Sequence, residues 1–167
     1  MAVTGFVTRM FTLGTDGRDP FIVNSSGYVS HFVWADAKHL AVFIRVDGRD
    51  WRIYSAEDGT GALTPIAHDG IQQNGHNTFI PGTANRWILC DTYPQGGERM
   101  QSLFLYDTLR SRYVSLGRFH SPPEFTAEWR VDLHARTSPN AKRIIFDSAH
   151  TGERQMWMLD MSEFDYG

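Results

Sequence analysis

The chain has 167 residues, a formal net charge of -3, 41% hydrophobic residues and 13% aromatics. That composition builds a packed core, so wholesale disorder is excluded. With no Lys- or Arg-rich block, the sequence predicts no nucleic-acid partner.

The longest apolar runs, such as Leu40-Ala41-Val42-Phe43-Ile44, are too short to span a bilayer, so no membrane is expected. Cations are fourteen Arg against two Lys, which a genome bias explains as well as a need for two-point carboxylate pairing. A single cysteine, Cys90, excludes an internal disulfide and Cys-rich zinc sites. The N-terminus shows no secretory signal, and a reducing, cytoplasmic setting is the expectation.

In chain order, Arg9–Leu13 and Asp19–Val23 read as a hairpin across Gly14-Thr15-Asp16-Gly17-Arg18, whose Asp-Gly is a turn signal. Three similar units follow. The first runs from Ser30-His31-Phe32-Val33-Trp34 through Leu40–Ile44 to Arg52-Ile53-Tyr54-Ser55. The second runs from Gly75-His76-Asn77-Thr78-Phe79 through Trp87–Asp91 to Leu103–Asp107. The third runs from Leu133-His134-Ala135-Arg136-Thr137 through Arg143–Asp147 to Met156–Asp160. In each, a histidine precedes a turn (35–38, 81–85, 138–142), a β-branched and aromatic strand, a polar loop and another strand.

The histidines are 45 and 58 residues apart; the first gap matches the period of a four-stranded propeller blade, and the second is lengthened by an inter-blade loop that Gly117-Arg118-Phe119-His120 is expected to begin. No stretch carries a helical period. The predicted fold class is therefore all-β, a β-propeller fragment of about three and a half four-stranded blades. Its parts are 1–27, the outer strands of one blade; 28–69 and 70–117, two blades; and 118–167, an inter-blade loop and an incomplete blade. Such a fragment needs either the missing half of the propeller or a second copy as partner.

Equivalent positions on successive inner strands point to equivalent places around the axis, so His31, His76 and His134 are expected to converge. Two readings stand: histidines bonded to neighbouring backbone, or a metal or acid–base site. Asp132 lies two residues before His134 and faces the same side of a strand. An N/O set without thiolate suits Mn²⁺, Fe²⁺ or Mg²⁺. Asp132 has a second reading, as partner to Arg130 or Arg136. The polar stretches around Tyr93, Arg118-Phe119-His120 and Trp129-Arg130 suggest a cleft wall, with Tyr93, Arg118, His120 and Arg130 as candidate substrate-binding residues. His39, His68 and His150 read as solvated turn or loop residues. No Gly-x-Ser-x-Gly or phosphate-binding Gly-rich loop is present.

Taken together, Ser30-His31-x-x-Trp34, Gly75-His76-x-Thr78, Asp91-Thr92-Tyr93-Pro94, Gly117-Arg118-Phe119-His120-Ser121-Pro122, Asp132-Leu133-His134-x-Arg136-x-Ser138-Pro139 and Phe146-Asp147-Ser148 resemble the C-terminal half of the oligogalacturonate lyase family. Those proteins are seven-bladed TolB-like propellers, so the resemblance implies half of a seven-bladed ring. It also implies β-elimination on an acidic, uronate-containing oligosaccharide, with Mn²⁺ as cofactor. By position His31 resembles the catalytic base and His76 a metal ligand. The family's Gln-x-x-His-x-His run falls on Trp129, Asp132 and His134. His134 matches, Asp replaces His, and Trp replaces Gln, which cannot be replaced as a ligand by an indole. The resemblance thus places the chain on a divergent, lyase-like branch. The alternative is a non-catalytic TolB-like platform for protein or carbohydrate.

Overall fold

The computed structural model of the chain describes residues 7–46, 51–66, 71 and 73–167. Strands form where β-branched and aromatic residues run between Gly, Pro, Asp and Asn turns. Among the described residues there are thirteen strands, one 3-10 turn (Ala127–Trp129) and no α-helix. The all-β expectation is met.

Strands β1 (Thr8–Thr12) and β2 (Phe21–Gly27) form a two-stranded sheet. Strands β3 (Val29–Trp34), β4 (His39–Ile44), β5 (Arg52–Glu57) and β6 (Leu63–Pro65) form a four-stranded one. A second four-stranded sheet holds β7 (Asn77–Phe79), β8 (Trp87–Asp91), β9 (Met100–Asp107) and β10 (Arg112–His120). The last sheet holds β11 (Arg136–Thr137), β12 (Arg143–Ser148) and β13 (Gln155–Asp160). Every pairing is antiparallel and every sheet follows chain order, the topology that hairpin-length connections impose. The hairpin expected at the N-terminus is β1–β2, closed by the Gly14 N–H to Arg18 carbonyl bond of 2.8 Å.

The chain divides into two compact units, Met1–Asn74 and Gly75–Gly167. The first is centred on Met10, Val23, Val29, Leu40, Val42, Ile44 and Ala56. In the second, Trp87, Leu89, Leu103 and Leu105 of one sheet pack with Ile144 and Phe146 of the other and with Leu133, which precedes β11. Central strands β4 and β8 are buried along almost their whole length, which is why they read as continuous apolar runs. No described helix is long and apolar enough to cross a membrane.

Two expectations need correction. Gly117–His120 does not begin a loop. A bulge between Ser115 and Gly117 absorbs one residue, and β10 then continues, with Arg118 opposite Ser102 and His120 opposite Met100. Arg118 and His120 are exposed and alternate with Phe119, which packs into the core. The solvated reading fails for His150 and is incomplete for His39. His150 is half-buried between Phe119 and Trp157, with Nδ1 2.9 Å from Ser148 Oγ. His39 opens β4 and pairs with Asp36 at 2.9 Å. His68 lies outside the described residues.

The second unit is closed on one side by a buried ion pair. Arg86 Nε and Nη2 donate to the two oxygens of Asp107 at 2.9 and 2.7 Å, and the backbone N–H groups of Leu109 and Arg110 add to the same carboxylate. Arg86 Nη1 and Trp87 Nε1 also donate to the Tyr166 carbonyl, at 3.1 and 2.6 Å, which pins the C-terminal segment over Trp87. The Arg86 guanidinium, helped by those N–H groups, lowers the Asp107 carboxyl from 3.8 to about 2. A depressed carboxyl stabilises the fold above its unfolded value and loses that contribution as pH falls through its folded value. Urea denaturation followed by tryptophan fluorescence is therefore expected to show stability falling between pH 4 and 2. Asp107→Asn removes that slope and costs about 3 kcal/mol at neutral pH, because Arg86 loses its charge partner.

Candidate functional site

The second unit brings two of the predicted histidines into contact. His76 immediately precedes β7 and His134 lies two residues before β11. Their rings stack at 3.9 Å between centroids with 16° between planes. Asp91, the last residue of β8, holds both. Its Oδ1 accepts the His76 backbone N–H at 2.7 Å, and its Oδ2 accepts the His134 backbone N–H at 2.7 Å. Both oxygens also lie 3.0 Å from His76 Nδ1. Asp91 and His76 are buried. A carboxylate at that distance fixes the proton on Nδ1 and leaves the lone pair on Nε2, the arrangement of an oriented base or ligand. Sequence reasoning flagged the run Asp91-Thr92-Tyr93-Pro94 only for its polar density. The signal for Asp91 was its place in the middle repeat, across a short hairpin from His76.

Gly75 is required by the same geometry. A Cβ there would sit 2.0 Å from the Asp91 carbonyl oxygen, a backbone atom that cannot step aside. His134 adopts a φ of 42°, in the left-handed region that non-glycine residues avoid. Along 131–136 burial nevertheless alternates. Val131, Leu133 and Ala135 are buried, while Asp132, His134 and Arg136 are turned outward on one face.

The charges on that face are already engaged. Arg130 Nε and Nη2 donate to Asp132 Oδ1 and Oδ2 at 2.7 and 2.8 Å, a bidentate fork. The Arg130 guanidinium also lies over the Tyr93 ring, 4.5 Å from its centroid. Arg136 Nη1 donates to the Ala135 carbonyl at 2.9 Å, and its Nη2 lies 3.1 Å from His134 Nε2. Burial, then the neighbouring His76 and Arg136, lower the His134 pKa, so the ring is neutral and its Nε2 accepts from the guanidinium. Burial and the charge of Asp132 raise the Tyr93 phenol, so it keeps its proton at neutral pH. Tyr93 also meets His76 edge-on at 5.7 Å.

Thus His76, His134, Arg130, Asp132 and Tyr93 fall within one network, joined by Asp91 and Arg136, which were not among the predicted site residues. His31 lies on β3 in the first unit, and this network is built from the second unit alone. Trp129 is 79% exposed in the 3-10 turn. Arg118 and His120 lie on the edge strand β10.

The resemblance implies a divalent metal, and the donor set does not fit one in this arrangement. Among the described residues no three His, Cys, Asp or Glu side chains group as a metal site. Asp132 gives both oxygens to Arg130, and His134 Nε2 faces a guanidinium.

No protein-family model and no curated protein matches the chain. Solved structures do. The chain is similar to TolB from Acinetobacter baumannii, with a TM-score of 0.70 and 22% identity, over 95% of this chain and 36% of that one. It is similar to an oligogalacturonate lyase from Vibrio parahaemolyticus, with a TM-score of 0.69 and 17% identity, over 91% and 42%. An oligogalacturonate lyase in complex with manganese follows at a TM-score of 0.50 and 14% identity, over 91% and 54%. The chain thus has the fold of TolB-like and oligogalacturonate lyase propellers and spans between a third and about half of their length.

Asp91→Asn puts an amide NH₂ where a carboxylate oxygen accepts. It is expected to cost about 3 kcal/mol. Nitrogen NMR of the imidazoles is expected to show His76 losing its single Nδ1–H tautomer in this variant.

Proposed function

We propose that the chain is the site-bearing part of a lyase-like propeller that acts on uronate-containing oligosaccharides by β-elimination. The observation that supports this is the His76–Asp91 pair, stacked on His134 beneath an arginine-bearing outward face, in a fold shared with an oligogalacturonate lyase. Elimination needs a base for the proton alpha to the uronate carboxylate, a cation for the enolate-like charge, and an acid for the departing oxygen. His76 Nε2 has the lone pair, and Asp91 stabilises the imidazolium that forms when it takes the proton. In this reading His76, whose ring a carboxylate backs, carries the base role, and His31, the base that the resemblance implies, lies on β3. Tyr93, protonated at neutral pH and in edge contact with His76, is the donor to the leaving oxygen. Electrons from the broken C–H bond form the new double bond, and the bond to the beta oxygen breaks.

The second reading is a TolB-like binding platform for carbohydrate or protein, favoured by the TolB likeness. Incubation with oligogalacturonate separates the two. Under the lyase reading, an unsaturated uronate product accumulates, and His76→Ala lowers its rate by about a thousandfold. A chain that binds the oligomer and leaves it uncut belongs to the platform reading.

A further inference from the structure

The misfit with a metal carries its own meaning. Resting on the uronate reading above, we propose that guanidinium groups take the place of a divalent cation in this site, with Arg136 as the seat for a sugar carboxylate. A cation needs lone pairs aimed at one point. Asp132 has given both oxygens to the Arg130 fork. Asp91 accepts two backbone N–H groups and faces His76 Nδ1 with both oxygens. His134 Nε2 is aimed at Arg136 Nη2. The lone pairs of Asp132, Asp91 and His134 thus face N–H donors or a cation, and His76 Nε2 supplies no more than one of the several donors a metal needs.

Arg130 and Arg136 differ in what remains. Arg130 is neutralised by Asp132 and braced over Tyr93. Arg136 is held by two neutral acceptors, the Ala135 carbonyl and His134 Nε2. Neither cancels its charge, and the side chain is exposed. Its planar fork, oriented from one side by His134, matches a carboxylate in two-point geometry. A carboxylate bound there lies beside His134, whose ring stacks on that of His76. His134 is a positioning residue in this scheme, through its contact with the guanidinium.

The test uses the full chain, purified without a polyhistidine tag. Calorimetry with Mn²⁺ alone is expected to show no saturable uptake. Binding of an oligogalacturonate is expected to be insensitive to EDTA, to weaken about tenfold or more in Arg136→Gln, and to weaken less in Arg136→Lys. Arg136 is exposed, so neither substitution threatens the fold. Stoichiometric Mn²⁺ that is lost in His134→Ala would overturn the proposal. So would oligomer binding that is absent, that collapses with EDTA, or that survives Arg136→Gln unchanged. Arg136-dependent binding without an unsaturated product leaves the seat standing and removes the lyase reading.

Discussion

A single buried carboxylate organises the second unit. Asp91 sits at the end of β8 and accepts backbone N–H groups from two segments that are 58 residues apart in sequence. One of these segments enters the sheet of β7–β10, and the other enters the sheet of β11–β13. A carboxylate that is 2% exposed is tolerated because N–H donors surround it. The stacking of His76 on His134 follows from that clamp, since both rings hang from backbone fixed on the same two oxygens. Gly75 is the steric counterpart, the one residue small enough to let the His76 segment lie against Asp91.

The clamp works because the surrounding core leaves it no room to relax. Leu89 of β8 and Leu133, next to His134, are both nearly inaccessible and belong to one apolar cluster. Gln101 Nε2 bonds the Val131 carbonyl at 3.1 Å, and the Asp147 N–H bonds the Leu133 carbonyl at 2.9 Å. These bonds satisfy the backbone of a segment too irregular to be a strand of its own. Hydrophobic packing therefore sets where the segments lie, and polar bonds set which way the site residues face. The left-handed backbone at His134 is strain held by that over-determination.

Much of this was legible in the chain itself. Leu40–Ile44, Trp87–Asp91 and Arg143–Asp147 announced strands because runs of β-branched and aromatic residues between turn signals have few other uses. The repeat placed a histidine at or before each inner strand. The site's wiring was not legible. Whether Asp132 ligates or pairs with Arg130 is decided by side-chain reach in space, and both readings fit the same six letters from Arg130 to Ala135. Asp91 looked like one polar residue among four, because its partners come from other parts of the chain. The bulge at Ser115–Gly117 depends on where Phe119 finds core to pack into, which no local pattern encodes.

The last sheet carries a different kind of consequence. Among the described residues, strand β13 has one hydrogen-bonded neighbour, and Met156 and Met158 stand exposed on it beside Ile145 of β12. A strand edge beside an apolar face is a template for strand addition, and β13 itself carries no Pro or Lys. Thioethers on such a face are also soft targets for oxygen. Oxidation to the sulfoxide would turn that face from apolar to polar, so the chemical state of two methionines decides what the face can stick to.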